Sequence, residues 1–299
     1  MEKNIFKGSI LILLGACCYG LLAINVKMAY AEGYSTAEVT LSQFGIGFLV
    51  LLLLNVFKKS TPNKANIPVT LQSKFKLMLA GISMGLTSVF YYMAVKYIPV
   101  SIAIVLLMQA VWMGVLLEMI VTKRFCGWHK VFSVLVVVIG SIFATNVLEE
   151  SIVIQWNGIG WGMLAAASYA ATMYSTKNIE AQLPALVRSL YLIAGGLLTI
   201  MLIFYSAINL EFAYPIIYKW GLIIALFGTI LPPLLFTAGM PLTGVGLGAI
   251  LASIEVPVAI IGANLVLHEQ IGIIQWLGIA LILVSVVIMN FEKKPSIKI

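Results

Sequence analysis

The chain has 299 residues, of which 62% are hydrophobic and only 10% are charged. A soluble protein of this length needs far more polar surface than this composition supplies, so a soluble globular fold is excluded. The net charge of +7 does not indicate a nucleic-acid partner. The basic residues lie in short connections beside apolar stretches, where charge usually records orientation in a membrane.

Ten apolar stretches of roughly twenty residues occupy almost the whole chain, and about 20 apolar residues are needed for a helix to cross a bilayer. We therefore predict an all-α polytopic membrane protein with ten transmembrane helices, called spans 1 to 10 here. Their predicted limits are 8–28, 38–57, 76–95, 100–121, 131–147, 157–176, 183–205, 217–238, 244–267 and 271–291.

The basic residues predict the orientation of these spans. With ten crossings, both termini share one face with the even-numbered connections. Of the eighteen Lys and Arg residues, only Lys27, Lys96 and Lys219 fall on the opposite face. Because basic connections stay on the cytoplasmic side, both termini are predicted to be cytoplasmic, in the plasma membrane.

The two halves of the chain, 1–148 and 156–292, resemble diverged copies of each other. Tyr19 and Lys27 match Tyr169 and Lys177 at an offset of 150 residues, and later landmarks match at an offset near 145. Since each copy has five spans, an odd number, the second copy enters the membrane from the opposite side. Such inverted repeats are typical of secondary transporters.

A family resemblance adds to this interpretation. The run Leu251-Ala-Ser-Ile-Glu255-Val-Pro257-Val and the later pair His268-Glu269, within two halves of five helices and basic cytoplasmic loops, resemble the EamA-type transporters of the drug/metabolite transporter superfamily. Pro257 is displaced by one residue from the family pattern, and His268 replaces its usual glycine. The resemblance implies a ten-helix exporter or importer with a central cavity between the halves.

Polar stripes on otherwise apolar helices indicate which faces turn inward. In span 3, Ser83, Thr87, Ser88 and Tyr91 share one broad helical face. Span 6 carries Ser168, Tyr169, Thr172 and Ser175, and span 1 carries Cys18, Tyr19 and Asn25. These stripes predict the lining of a cavity, and hydrogen bonds between helices are the alternative.

Glu255 is the most informative single residue. It lies about twelve residues into span 9, which is roughly 18 Å of helix and close to the middle of the membrane. A carboxylate at that depth is costly and by default indicates function. It is expected to bind a substrate amine, to carry a proton, or to hydrogen-bond a neighbour in a structural role. Gln109 is its repeat mate, and Trp112 is either an aromatic wall of the site or a packing residue.

Three prolines are candidate hinges: Pro232 and Pro233, which are expected to interrupt span 8, and Pro257 beside Glu255. Gly81 and Gly85 in span 3 are interpreted as close-packing residues. Lys27, and Arg188 near the start of span 7, are expected to extend to the membrane interface.

The leading hypothesis is a secondary transporter that moves a small organic solute (an amino acid, a related metabolite or a drug) by alternating access. The predicted substrate-binding residues are Tyr19, Asn25, Ser83, Ser88, Tyr91, Gln109, Trp112, Tyr169, Thr172 and Glu255. The alternatives are an intramembrane enzyme acting on lipid and a sensor or assembly protein. Catalytic residues, a cofactor and a metal are not expected. The expected partners are the solute and membrane lipid, with proton coupling and a homodimer left open.

Overall fold

A computed structural model describes residues 2–57, 69–123, 128–145, 155–207, 212–243, 251–252 and 254–290, and within these ranges every regular element is a helix. The first half contains α1 (Glu2–Ala31), α2 (Thr36–Phe57), α3 (Leu71–Tyr97), α4 (Val100–Leu107), α5 (Ala110–Thr122) and α6 (Trp128–Thr145). The connection between the halves and the start of predicted span 9 lie outside the described residues.

The second half begins with α7 (Trp156–Asn178) and α8 (Ala185–Ile203), which a short 3-10 turn follows at Tyr205–Ala207. Its third span joins two π-helical turns, Ile217–Gly221 and Leu226–Ile230, to α9 (Leu222–Ala225) and α10 (Leu231–Thr243). The half ends with α11 (Glu255–Leu267) and α12 (Ile273–Asn290).

Apolar helices long enough to cross a bilayer make up much of the described chain. Six stretches there have this length and composition: Ile5–Ala31, Thr36–Phe57, Leu71–Tyr97, Val100–Val121, Ala185–Ile203 and Ile217–Met240. Shorter apolar helices cover Val134–Ala144, Glu255–Leu267 and Ile273–Ser285. Many large apolar side chains on them, such as Leu53, Phe57 and Leu202, are exposed. An apolar outer surface of this kind suits contact with lipid.

The internal repeat is visible in the backbone. Helices α5 and α11 each have 13 residues and each end on a residue with positive φ, Lys123 (φ 52°) and His268 (φ 56°). Helices α6 and α12 each have 18 residues. The turns after α1 and α7 also contain positive-φ residues, Gly33 (φ 91°) and Glu180 (φ 49°). Matching lengths and matching turn conformations support the predicted duplication.

The two halves pack closely against each other. Helix α3 lies against α7 and α8, α1 against α10 and α11, and α6 against α12. The crossing of α3 and α8 is close because both helices carry glycine: a Cβ added to Gly85 would lie 2.7 Å from the carbonyl oxygen of Gly196, and Gly81 faces the Leu192 carbonyl still more closely. The interpretation of Gly81 and Gly85 as packing residues is confirmed.

One end of the bundle, called the Lys27 end, joins the halves through polar contacts. The Lys27 ammonium lies 3.2 Å from the Ile98 carbonyl and 3.6 Å from the Glu269 carboxylate. Lys219 pairs with Glu32 at 2.7 Å. The expectation that Lys27 extends to the interface stays a prediction, and its ammonium is held by groups directly after α3 and α11.

The opposite end, called the Lys76 end, carries the related arrangement. The Glu180 carboxylate accepts a hydrogen bond from the Ser73 hydroxyl at 3.0 Å and pairs with Lys76 at 3.7 Å. Glu32 and Glu180 both belong to the first connection of their half, and each pairs with the start of the other half's third span. Equivalent contacts thus lie at opposite ends of the bundle, as an inverted repeat requires.

Arg188 also differs from its expectation. Its side chain does not extend outward but is buried, with 2% of the residue exposed. The guanidinium donates to the carbonyl oxygens of Thr176 and Ile179 at the end of α7. Basic groups are favoured there because the last carbonyls of a helix have no helical partner.

Candidate functional site

A cavity of about 50 Å³ lies between the two halves. Helices α1 to α4 line it from the first half, and α7, the π-helical turn Leu226–Ile230 and α11 line it from the second. The lining residues are Tyr19, Leu22, Gln43, Met84, Thr87, Ser88, Tyr91, Tyr92, Leu107, Tyr169, Thr172, Gly228 and Glu255. Six of the ten predicted substrate-binding residues are among them: Tyr19, Ser88, Tyr91, Tyr169, Thr172 and Glu255.

Glu255 lies where span 9 is interrupted. Ile254 forms a turn, and Glu255 is the first residue of α11, with 4% of its surface exposed. Pro257 falls in the first turn of α11, where its missing N–H costs no hydrogen bond. The unpaired N–H groups at a helix start favour a negative charge, so the local backbone suits a carboxylate at this position.

Two contacts fix the surroundings of this carboxyl group. The Tyr169 hydroxyl on α7 lies within hydrogen-bonding reach of it. On the other side α1 passes very close, since a Cβ added to Gly20 would lie 2.8 Å from the carbonyl oxygen of Glu255. The position of Glu255 therefore depends on a small residue in the first half and a tyrosine in the second.

Two adjacent tyrosines of α3 behave differently. The Tyr92 hydroxyl donates to the Gln43 side-chain oxygen at 2.6 Å. The neighbouring Tyr91 is only 6% exposed, and its hydroxyl has no hydrogen-bond partner among the described residues. An unpaired buried hydroxyl costs free energy, so one that lines a cavity is a candidate contact for a ligand or a water molecule.

The polar stripes of spans 3 and 6 meet beside the cavity. The Ser168 hydroxyl donates to the Ser83 carbonyl at 2.7 Å, and the Thr172 hydroxyl donates to the Ser83 hydroxyl at 2.9 Å. These contacts join α3 to α7. Part of each stripe therefore makes the hydrogen bonds between helices that were the alternative interpretation, and part lines the cavity.

Four predicted residues lie outside the cavity lining. Ser83 is used in the contacts just described, and the Asn25 side chain donates to the Leu21 carbonyl at 2.8 Å. Gln109 is buried where span 4 is interrupted between α4 and α5, and the Trp112 indole donates to its side-chain oxygen at 3.0 Å. This interruption was not expected from the continuous apolar run, and it lies at nearly the repeat position of the one beside Glu255.

The proline pair of span 8 lies where the helix changes type. Helix α10 begins at Leu231, directly before Pro232 and Pro233, and the π-helical turn Leu226–Ile230 precedes it. The wider turn leaves room for the proline rings and for carbonyls that lack a partner. It also brings the Gly228 backbone against the Gln43 side chain at the cavity wall. A hinge role for Pro232, Pro233 and Pro257 stays a prediction.

Sequence reasoning missed several lining residues, of which Gln43 and Tyr92 are the polar ones. Gln43 is polar within an apolar span, a signal that was available. Tyr92 was missed because the sequence does not distinguish it from the adjacent Tyr91, and only tertiary contacts separate the two. Across the described residues, no cluster of three His, Cys or acidic side chains is arranged to hold a metal ion.

Comparisons with known proteins place the chain in a family. A solved structure titled only as the crystal structure of a protein is similar to it with a TM-score of 0.66 and 13% identity, covering 95% of this chain and 98% of that one. At this identity the likeness concerns the fold alone. The comparison with curated proteins gave no match. The model of the EamA-like transporter family matches residues 6–146 and 156–291, one match for each repeat. The chain is therefore an integral membrane protein that belongs to the EamA-like transporter family.

Proposed function

We propose that the protein is a secondary transporter that moves a small organic solute across the plasma membrane by alternating access. The proposal includes ten transmembrane helices, arranged as two inverted repeats of five, with both termini cytoplasmic. On this orientation the Lys76 end faces the cytoplasm and the Lys27 end faces outward. The distribution of basic residues supports the orientation, because only Lys27, Lys96 and Lys219 fall on the outer face.

The observation that carries the proposal is a cavity built by both halves around one buried carboxyl group. Binding sites of secondary transporters typically lie near the middle of the membrane, at the interface between repeats, beside interrupted helices. The cavity lies between the repeats, since α1 to α4 face α7 and α11 across it, and Glu255 in its wall begins the helix after the interruption of span 9.

The cavity is small in this conformation. Pockets that hold drug-sized ligands usually measure about 300–1,000 Å³, whereas this one measures about 50 Å³. The polar contacts at the Lys27 end and the Lys76 end both close the bundle in this conformation. A solute would enter when one set of contacts opens, and the repeat symmetry offers an equivalent opening at the other end.

The test is solute counterflow in vesicles that contain the purified protein, with labelled amino acids, amines, carboxylates and sugars as probes. We expect Glu255→Gln to reduce counterflow by tenfold or more while its folded yield falls far less. Lys96→Gln, which removes an exposed charge outside the contacts that join the two halves, is the control and should keep wild-type flux. Equal losses of flux and folded protein in Glu255→Gln would indicate a structural role. Folded wild-type protein that moves none of the probes would contradict the proposal.

A further inference from the structure

We infer that the solute carries a protonated amine and no carboxylate, with a small apolar tail. The inference rests on the proposed function and names the solute class for the same cavity. The sequence left amino acids, related metabolites and drugs open as solutes. The inference excludes amino acids, because they carry a carboxylate as well as an amine.

The first argument comes from charge. Among the described residues that line the cavity, Glu255 is the only acidic side chain, and none is Lys, Arg or His. Two nearby basic residues are engaged elsewhere: Arg188 with the carbonyls at the end of α7, and Lys27 with Ile98 and Glu269. A carboxylate away from water is costly unless a cation or a proton neutralises it. A solute ammonium supplies that charge, and a solute carboxylate would face Glu255 without a cation to balance it.

The second argument comes from hydrogen bonding. An ammonium group offers three N–H donors and no acceptor. The cavity wall offers acceptors for them, namely the carboxylate oxygens of Glu255 and the Tyr91 hydroxyl oxygen, which has no partner among the described residues. Tyr19 and Tyr169 add aromatic rings beside the carboxylate, and such rings attract cations. The chemistry of the wall thus suits an N–H donor with a positive charge.

The helix starts near the cavity do not supply an alternative site for a solute carboxylate. The start of α11 is occupied by Glu255 itself. At the start of α5, the Val111 N–H bonds the Met108 carbonyl at 3.0 Å, and the Met113 N–H bonds the Gln109 carbonyl at 3.2 Å. At least the Val111 N–H is therefore not free to bind a solute carboxylate.

The third argument comes from the apolar part of the wall. Leu22, Met84 and Leu107 lie in the lining together with the tyrosines, and they come from three helices of the first half. Apolar side chains there favour a hydrocarbon tail on the solute, and methionine adapts to tails of different shape. The cavity measures about 50 Å³ in this conformation, which favours a short tail.

The experiment compares three compounds with one hydrocarbon skeleton. Leucine carries both groups, 3-methylbutylamine is leucine without its carboxylate, and 4-methylpentanoate is leucine without its amine. Each is titrated against purified wild-type protein, and binding is measured as a rise in melting temperature, because a ligand that binds the folded state stabilises it. We expect 3-methylbutylamine to stabilise at concentrations at least tenfold lower than either relative.

Variants assign the effect to the cavity. Glu255→Gln should abolish the stabilisation by 3-methylbutylamine. Tyr91→Phe, which removes only the unpaired hydroxyl, should weaken the stabilisation by 3-methylbutylamine severalfold. This variant tests the assignment even if Glu255→Gln does not fold. The exposed-site control Lys96→Gln should respond as wild type does. An unchanged response in Tyr91→Phe and Glu255→Gln would overturn the assignment to this site.

The outcomes separate this inference from the proposed function. Equal or stronger stabilisation by leucine or 4-methylpentanoate overturns the amine inference, and counterflow of that compound would leave the transporter proposal intact. Absence of stabilisation by any of the three compounds also overturns the inference. Selective binding of 3-methylbutylamine without counterflow of any solute would support the inference and contradict the transport proposal.

Discussion

The carboxylate of Glu269 connects the two halves at the start of α4, and its removal is the sharpest test of the fold. It accepts hydrogen bonds from the Val100 N–H at 2.8 Å, the Ser101 N–H at 3.1 Å and the Ser101 hydroxyl at 2.7 Å. The residue before the helix, Pro99, offers no side-chain cap. A residue of the second half therefore takes the place of the N-cap of a helix in the first. We predict that Glu269→Ala destabilises the protein more than removal of its lysine partner does.

The magnitude follows from the contacts. Loss of an N-cap side chain costs about 0.5–2 kcal/mol, and unpairing a partly buried N–H adds about 1–3 kcal/mol before water or a neighbour compensates. The Glu269 side chain is 13% exposed, so compensation is incomplete, and we expect a loss of about 2–3 kcal/mol. The Lys27 side chain is 34% exposed, and such ion pairs contribute about 0–1 kcal/mol. Lys27→Met should therefore cost less than half as much.

The assay is equilibrium unfolding in detergent micelles, followed by tryptophan fluorescence, for Glu269→Ala, Lys27→Met and Ser101→Ala. The exposed neighbour Gln270→Ala is the control and should stay within about 0.5 kcal/mol of wild type. Ser101→Ala should cost about 1 kcal/mol, since one of the three bonds is lost. If Lys27→Met destabilises the protein as much as Glu269→Ala does, the carboxylate serves the ion pair rather than the helix, and the reasoning fails.

Three further predictions concern packing, orientation and pH. Gly81→Ala should sharply reduce folded yield, because the new methyl group would meet the backbone of α8, whereas Gly45→Ala, with nothing within 4 Å, should keep wild-type yield in size-exclusion chromatography. In a background without native cysteines, Lys96→Cys should react with an impermeant thiol reagent from outside and Ala181→Cys only from inside; labelling of both from one side would refute the inverted arrangement. The hydrogen bond from Lys219 holds the pKa of Glu32 below its ordinary value, so the stabilisation from this carboxylate is present above the ordinary pKa and is lost as the pH falls through the lowered one. Glu32→Gln should flatten the acid limb of a melting-temperature profile, and an unchanged acid limb would argue against the pair.

Some of the site could be predicted because local patterns carry it. Polar residues at helical spacing place Ser88 and Tyr91 on one face of α3. A polar face is disfavoured against lipid, so it turns toward the bundle interior regardless of which helix packs against it. Glu255 could be recognised as a site residue for a similar reason, since a carboxylate deep in an apolar span requires polar or charged partners. The membrane class, the repeat and six residues of the cavity lining follow from such local rules.

The remaining features depend on contacts between different helices, which local patterns do not specify. Gln43 reaches the cavity because the π-helical turn at Gly228 packs against it. Arg188 is buried because the end of α7 presents free carbonyls to it. The start of α4 is capped by Glu269, 169 residues away from Val100. Hydropathy and helical periodicity determined that the chain forms apolar helices and which faces turn inward, because each depends on neighbours within a few turns. Only the tertiary structure decided where those helices break and which polar groups meet, because these groups are paired by contacts between helices.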